Sequence, residues 1–142
     1  NGGWFTYPTG TDQDLNGMTL AGADEAWAVG AIGTILHLKD RRWSPDPQSQ
    51  QVTLLDLHAV AFLNPDNGWA VGGNPGFGGV ILHYDGQSWV TATETGNVMT
   101  DLAVLASDSI HFCGYGRSLT GFDGNQFRAL ASLRRELEGR TR

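Results

Sequence analysis

Four histidines, a single cysteine and a scatter of aspartates are the side chains of this chain best able to act on a ligand. His37, His58, His83 and His111 could serve as bases or metal ligands, but no two stand at His-x-x-x-His spacing. Cys113 has no second cysteine to pair with, so a disulfide framework is excluded. Asp12 and Asp14 could begin a calcium loop, yet no Asp-x-Asp-x-Asp-Gly run completes the oxygen set. No Ser-His-Asp arrangement can be assigned. The glycine-rich stretch 72–79 lacks the Lys-Ser/Thr of a phosphate loop and opens no helix. The residues therefore name no catalytic, cofactor or metal site, and the chain is read as non-enzymatic.

Repetition explains where most of these side chains stand. Leu15-Asn16-Gly17-Met18-Thr19-Leu20, Asp24 and Trp27-Ala28-Val29-Gly30 recur 42 residues later as Leu57-His58-Ala59-Val60-Ala61-Phe62, Asp66 and Trp69-Ala70-Val71-Gly72. A third copy reads Met99-Thr100-Asp101-Leu102-Ala103-Val104, Asp108 and His111-Phe112-Cys113-Gly114. Each is followed by a second block, centred on Ile35-Leu36-His37, Ile81-Leu82-His83 and Leu119-Thr120-Gly121. A bulky aromatic then follows, at Trp43, Trp89 and Phe127, and Trp4 extends the series.

Within a period the apolar residues alternate or form short β-branched runs bounded by turn signals such as Asn64-Pro65-Asp66-Asn67-Gly68, Asp85-Gly86 and Asp123-Gly124. This spacing predicts four short antiparallel strands per period, the size of a propeller blade. A parallel β-helix would need shorter coils, and a β-sandwich of unrelated hairpins would not keep the 42-residue register. The fold expected is all-β: three four-stranded blades over residues 1–129, with repeats at about 15–56, 57–98 and 99–129 and an N-terminal strand within 1–14. Leu130, Leu133 and Leu137 give the 130–142 tail helical spacing, or leave it as linker.

Recurrence also sorts structure from chemistry, because a catalytic residue should be unique to one blade. Gly30, Gly72 and Gly114 are read as strand ends where a side chain would collide or where positive φ is needed. Trp27 and Trp69, with Trp43, Trp89 and Phe127 on a later strand, are read as packing between blades. His37 and His83 are expected half-buried and hydrogen-bonded against a neighbouring blade. Cys113 replaces Val29 and Val71 and is expected to be buried as a small hydrophobe. Asp24, Asp66 and Asp108 are expected to cap turns, as are Asp85 and Asp123. The long loop carrying Asn74, Pro75 and Phe77 is the candidate binding loop.

Leu-x-x-Val-x-Phe, Gly-Trp-Ala-Val-Gly and Ile-Leu-His-x-x-Asp-Gly-x-x-Trp resemble the repeat of bacterial propellers of the BNR, or Asp-box, kind. The photosystem II assembly and stability factor group has such repeats. The resemblance covers residues 4–127 and implies four-stranded blades in rings of six or seven. It also implies a location outside the cytoplasm: extracellular, periplasmic or on the cell surface. The third period departs from it at His111, Phe112, Cys113 and Gly121. The strict Ser-x-Asp-x-Gly-x-x-Trp box is absent; Tyr84-Asp85-Gly86-Gln87-Ser88-Trp89 comes nearest.

Acidic residues outnumber Lys and Arg by 15 to 9, which argues against a nucleic-acid surface. No apolar run reaches membrane-spanning length. Three blades fall short of the four to eight that close a ring, so the end faces call for a homodimer or another chain. Trp4 and Phe127 share one phase of the repeat, which would let one chain end supply a strand to a blade begun by the other. The function expected is a scaffold for protein–protein interaction or complex assembly. A carbohydrate-binding module and a purely architectural subunit are the alternatives.

Overall fold

The computed structural model describes residues 3–129, so the expected tail helix at 130–142 lies outside the described residues. Three separate four-stranded sheets follow one another along the chain. The first holds β1 (Leu15–Gly22), β2 (Glu25–Gly30), β3 (Ile35–Lys39) and β4 (Arg42–Pro45). A single helical turn, α1 (Ser49–Val52), leads to β5 (Leu57–Asn64), β6 (Asn67–Asn74), β7 (Gly78–Tyr84) and β8 (Trp89–Thr95). The last sheet holds β9 (Met99–Ala106), β10 (Ser109–Gly114), β11 (Ser118–Phe122) and β12 (Phe127–Ala129). Every neighbouring pair is antiparallel, and each sheet is ordered as its strands occur in sequence. These are three propeller blades.

Register shows why the repeat has its pattern. Thr19, Trp27 and His37 are paired across β1, β2 and β3, and Ala61, Trp69 and His83 across β5, β6 and β7. Cross-strand partners share a face, so each Trp and His lie side by side toward the next blade. Trp27 enters a cage formed by Phe62, Tyr84 and Trp89 of the second blade, with centroid distances of 5.7, 4.9 and 5.5 Å. Trp69 meets Phe112, Phe122 and Phe127 of the third blade at 5.7, 5.1 and 6.1 Å. Two apolar cores result, one at each junction between blades. Gly68 is what admits Phe62 to its cage, because a Cβ there would lie 2.3 Å from the ring.

Three expectations need correction. Residues 3–14 form no strand, and Trp4 is fully exposed rather than part of a sheet. Each blade already has four strands from its own repeat, β12 included, so no sheet has a place for it. The segment instead runs past β4, where Tyr7, Pro8, Gly10, Arg42 and Trp43 line a common cleft. Cys113 is exposed, because it faces the side of the third blade against which no other described residue packs. Trp43 is only partly covered, on the outer face of the first blade, whereas Trp89 is buried.

The β3–β4 hairpin turns through Asp40 and Arg41, at φ of 54° and 64°. The other blades use four-residue loops holding Asp-Gly at this point. Left-handed backbone at a non-glycine residue costs about 1 kcal/mol. Arg41→Gly is therefore expected to raise the melting temperature by about 2–5 °C in thermal denaturation followed by circular dichroism.

Trp27→Ala should lower unfolding free energy by about 3–5 kcal/mol in urea titration, since it empties a filled aromatic cage. A loss under about 1 kcal/mol would mean that the blades hold together without it.

Candidate functional site

In each blade the second and third strands meet at the same end, and that end also receives the segment leading into the first strand, which in the second and third blades is the connection from the blade before. These segments build one rim of the propeller. Backbone hydrogen bonds join them: Ala31 N–H to Asp14 O at 2.9 Å, Gly73 N–H to Asp56 O at 2.8 Å and Tyr115 N–H to Val98 O at 2.9 Å. The preceding glycines make these approaches possible. A Cβ on Gly30, Gly72 or Gly114 would lie 1.9, 1.9 or 2.0 Å from the carbonyl oxygen of Asp14, Asp56 or Val98. Gly30 and Gly114 have extended backbone, so the demand there is for space rather than for positive φ.

The turns differ. The first passes through Ile32 and Gly33 at φ of 54° and 68°, the third through Gly116 and Arg117 at 66° and 62°. The successive left-handed residues give the tight reversal that suits a twisted hairpin. Ile32 is a β-branched residue in a region such side chains avoid, and the third blade has glycine at that place. In the second blade the strands pair as far as Asn74 and Gly78, leaving Pro75, Gly76 and Phe77 as the loop. Gly73, Gly76 and Gly78 take positive φ there, and the Phe77 N–H donates to Asn74 O at 2.9 Å. Phe77 projects into solvent.

Asp56 ties the first two turns together. Its Oδ1 accepts the Ile32 N–H, and its Oδ2 accepts Asn74 Nδ2, both at 2.9 Å. Asn74 Oδ1 in turn accepts the Asp56 N–H at 2.9 Å. Asn97 carries the connection onward, donating through Nδ2 to Ser118 Oγ at 2.9 Å. Neither Asp56 nor Asn97 stands out in the sequence. The available signal was positional, since Asp14 and Asp56 both immediately precede an innermost strand.

The histidines are held rather than poised. His37 Nε2 pairs with Glu25 Oε2, and the imidazole stacks on Trp27 at 3.8 Å and 8°. His83 Nε2 donates to Asn67 Oδ1 at 2.9 Å beside Trp69. Glu25 and Asn67 stand at equivalent positions, two residues before each Trp, a correlation that reading the histidines alone misses. His58 Nε2 donates to Gly73 O at 3.0 Å, while His111 is exposed on the outer face of the third blade. Among the described residues no group of three or more His, Cys, Asp or Glu could hold a metal ion.

At the opposite rim Asp85 Oδ1 accepts the Ser88 and Gln87 N–H groups, and Asp123 Oδ1 accepts those of Gln126 and Asn125. These bonds to the charged form hold both carboxyls below the ordinary aspartate range. The neighbouring turn in the second blade is capped by Asn64, whose Oδ1 accepts the Asp66 N–H at 2.9 Å, rather than by the Asp66 side chain.

No protein-family model matches the sequence, and no curated protein matches it. Solved structures do. "YCF48 bound to D1 peptide" superposes with a TM-score of 0.72 at 21% identity, over 89% of this chain and 42% of that one. YCF48 from Cyanidioschyzon merolae gives 0.68 at 18% identity, over 87% and 41%. The likeness shows the β-propeller fold. The chain spans about two fifths of the length of each structure it matches.

Burial lowers the pKa of His83, outweighing the opposing charge of Asp85. A partly buried neutral imidazole contributes stability that is fully present above the unfolded value of about 6.5 and is lost as pH falls below it toward the lowered folded value. Denaturant midpoints should therefore drop as pH falls below about 6.5, and His83→Gln should flatten that slope. An unchanged slope in the variant would assign the effect elsewhere.

Proposed function

We propose that the chain is part of a non-enzymatic β-propeller scaffold for protein–protein interaction, with its end blades covered by further blades from a second copy or another chain. One observation carries this reading: the two outermost sheet faces have the chemistry of blade junctions, and no other described residue packs over them. Leu20, Leu38 and Trp43 of the first blade occupy the places that Phe62, Tyr84 and Trp89 fill in the second. They form the same kind of cage with no tryptophan from a preceding blade in it. Met18 and Leu20 are exposed there. The third blade presents Leu105, Leu119, Cys113 and His111 at its far side. Apolar surface of this kind, on faces each able to bury roughly 600–1,000 Å², is rarely left to water by a lone soluble chain.

His111 stands where the other blades have a tryptophan, so the junction it makes is more polar than the two internal ones. A solved propeller of this fold is described with a bound peptide, which supports a polypeptide ligand for the assembled ring. The repeat resemblance supports a site of action outside the cytoplasm. Among the described residues no helix is long and apolar enough to cross a membrane.

Light scattering at low micromolar concentration should return at least twice the 15.3 kDa of one chain, or a complex with a partner from the native source. Cys113 should then react with a thiol reagent far more slowly than it does after Leu20→Asp, which charges the cage that would face it. A folded monomer with fast-reacting Cys113 would overturn the closure argument.

A further inference from the structure

The rim built by the β2–β3, β6–β7 and β10–β11 turns carries an exposed apolar residue from every blade. Ile32 is 44% exposed, Phe77 79% and Tyr115 54%, and Leu54, beside the first turn, is 65% exposed. Isolated surface hydrophobes are ordinary. These four are linked through fixed backbone. Gly33 N–H donates to Leu55 O at 2.9 Å, which sets Leu54 against the Ile32 turn. Asp56 and Asn74 join that turn to the Phe77 loop. Gly79 abuts the Asn97 backbone, and a Cβ on Gly116 would lie 3.1 Å from the Asn97 amide, which brings the Tyr115 turn alongside.

Two further observations bear on what this row takes. Ile32 keeps a strained left-handed conformation that glycine, present at the same place in the third blade, adopts freely. A bulky apolar side chain held in such strained backbone is a mark of a functional surface. The charges around the rim are also one-sided. Asp12, Asp14, Asp46 and Glu94 stand on its connections and strand ends, against Arg117 alone among the described basic residues of that rim.

We infer that this rim is a docking surface for a polypeptide segment of a partner protein that carries apolar side chains and net positive charge. The inference rests on the scaffold reading and adds the partner's chemistry. The apolar row supplies contact area, while the acidic surround steers a cationic segment and repels an acidic one. Because the turns are already fixed by hydrogen bonds, little ordering is needed on binding.

The test uses the 142-residue chain in whichever assembled state light scattering finds. The probes are fluorescein-labelled peptides that pair Leu and Phe with Lys or Arg, matched to counterparts with Glu in place of each base. Fluorescence anisotropy should find binders in the cationic set, weakened by added salt. Phe77→Ser and Tyr115→Ser should each weaken binding about tenfold or more, while Gln87→Ser on the opposite rim leaves it unchanged. Both rim side chains are exposed, so these variants keep the fold, which circular dichroism checks. The proposal is overturned if no cationic peptide binds, if the rim variants bind as the parent does, or if the Glu peptides bind equally well. It is also overturned if phosphatidylserine vesicles, rather than peptides, bind in a Phe77-dependent way. Peptide binding lost with self-association intact removes the rim proposal and leaves the scaffold reading standing.

Discussion

A tryptophan inserted from the second strand of one blade into the aromatic cage of the next is the contact on which the arrangement of this chain depends. Each sheet is only four strands wide and could not bury its apolar residues alone. The insertion turns two half-exposed sheets into one core, with Trp27 and Trp69 buried at the centres of successive junctions. Much else follows from making room for it. Gly68 leaves space for Phe62, and Glu25 and Asn67 fix the imidazoles beside each indole. The stagger of the blades then brings their turns together at one rim. The indole N–H groups of Trp27 and Trp69 have no hydrogen-bond partner in this packing, which is the electrostatic cost of seating an amphipathic ring in an aromatic cage.

Sequence periodicity made the blades legible because it records the same packing problem solved three times. Strand identity, the glycines at the ends of the second strands and the Asp-Gly loops all follow from residue types that recur in step. What periodicity could not convey was context beyond the repeat. Cys113 sits in a register position that is buried twice, yet it is exposed, since burial depends on a facing blade that the sequence of its own blade does not specify. Trp4 has the right phase to begin a strand, but the neighbouring sheets are complete, so the segment before β1 has no edge to join. Polar ties between blades were the least visible. Asp56 acts through contacts 18 and 24 residues away, and nothing local marks it.

The two rims do different work. The one with the Asp85 and Asp123 loops is organised by side chains folding back on their own backbone, which leaves each loop self-sufficient. The other is organised by contacts between blades and holds apolar side chains outward on a stiff frame. That division suits a protein whose ring must stay constant while one surface is free to be specialised.

Among the described residues each blade is closed within its own stretch of chain, with no strand lent from one blade to another. A load that draws neighbouring blades apart would meet no strand pairing across their junction, only packed side chains and the polar ties at the rim. Each junction would yield once its tryptophan leaves the cage, and further blades over the end faces would remove the free surfaces at which such separation begins. Stability in this architecture is then a sum of nearest-neighbour terms, as in other repeat arrays, and adding a blade at an end would strengthen the array without redesign of its middle.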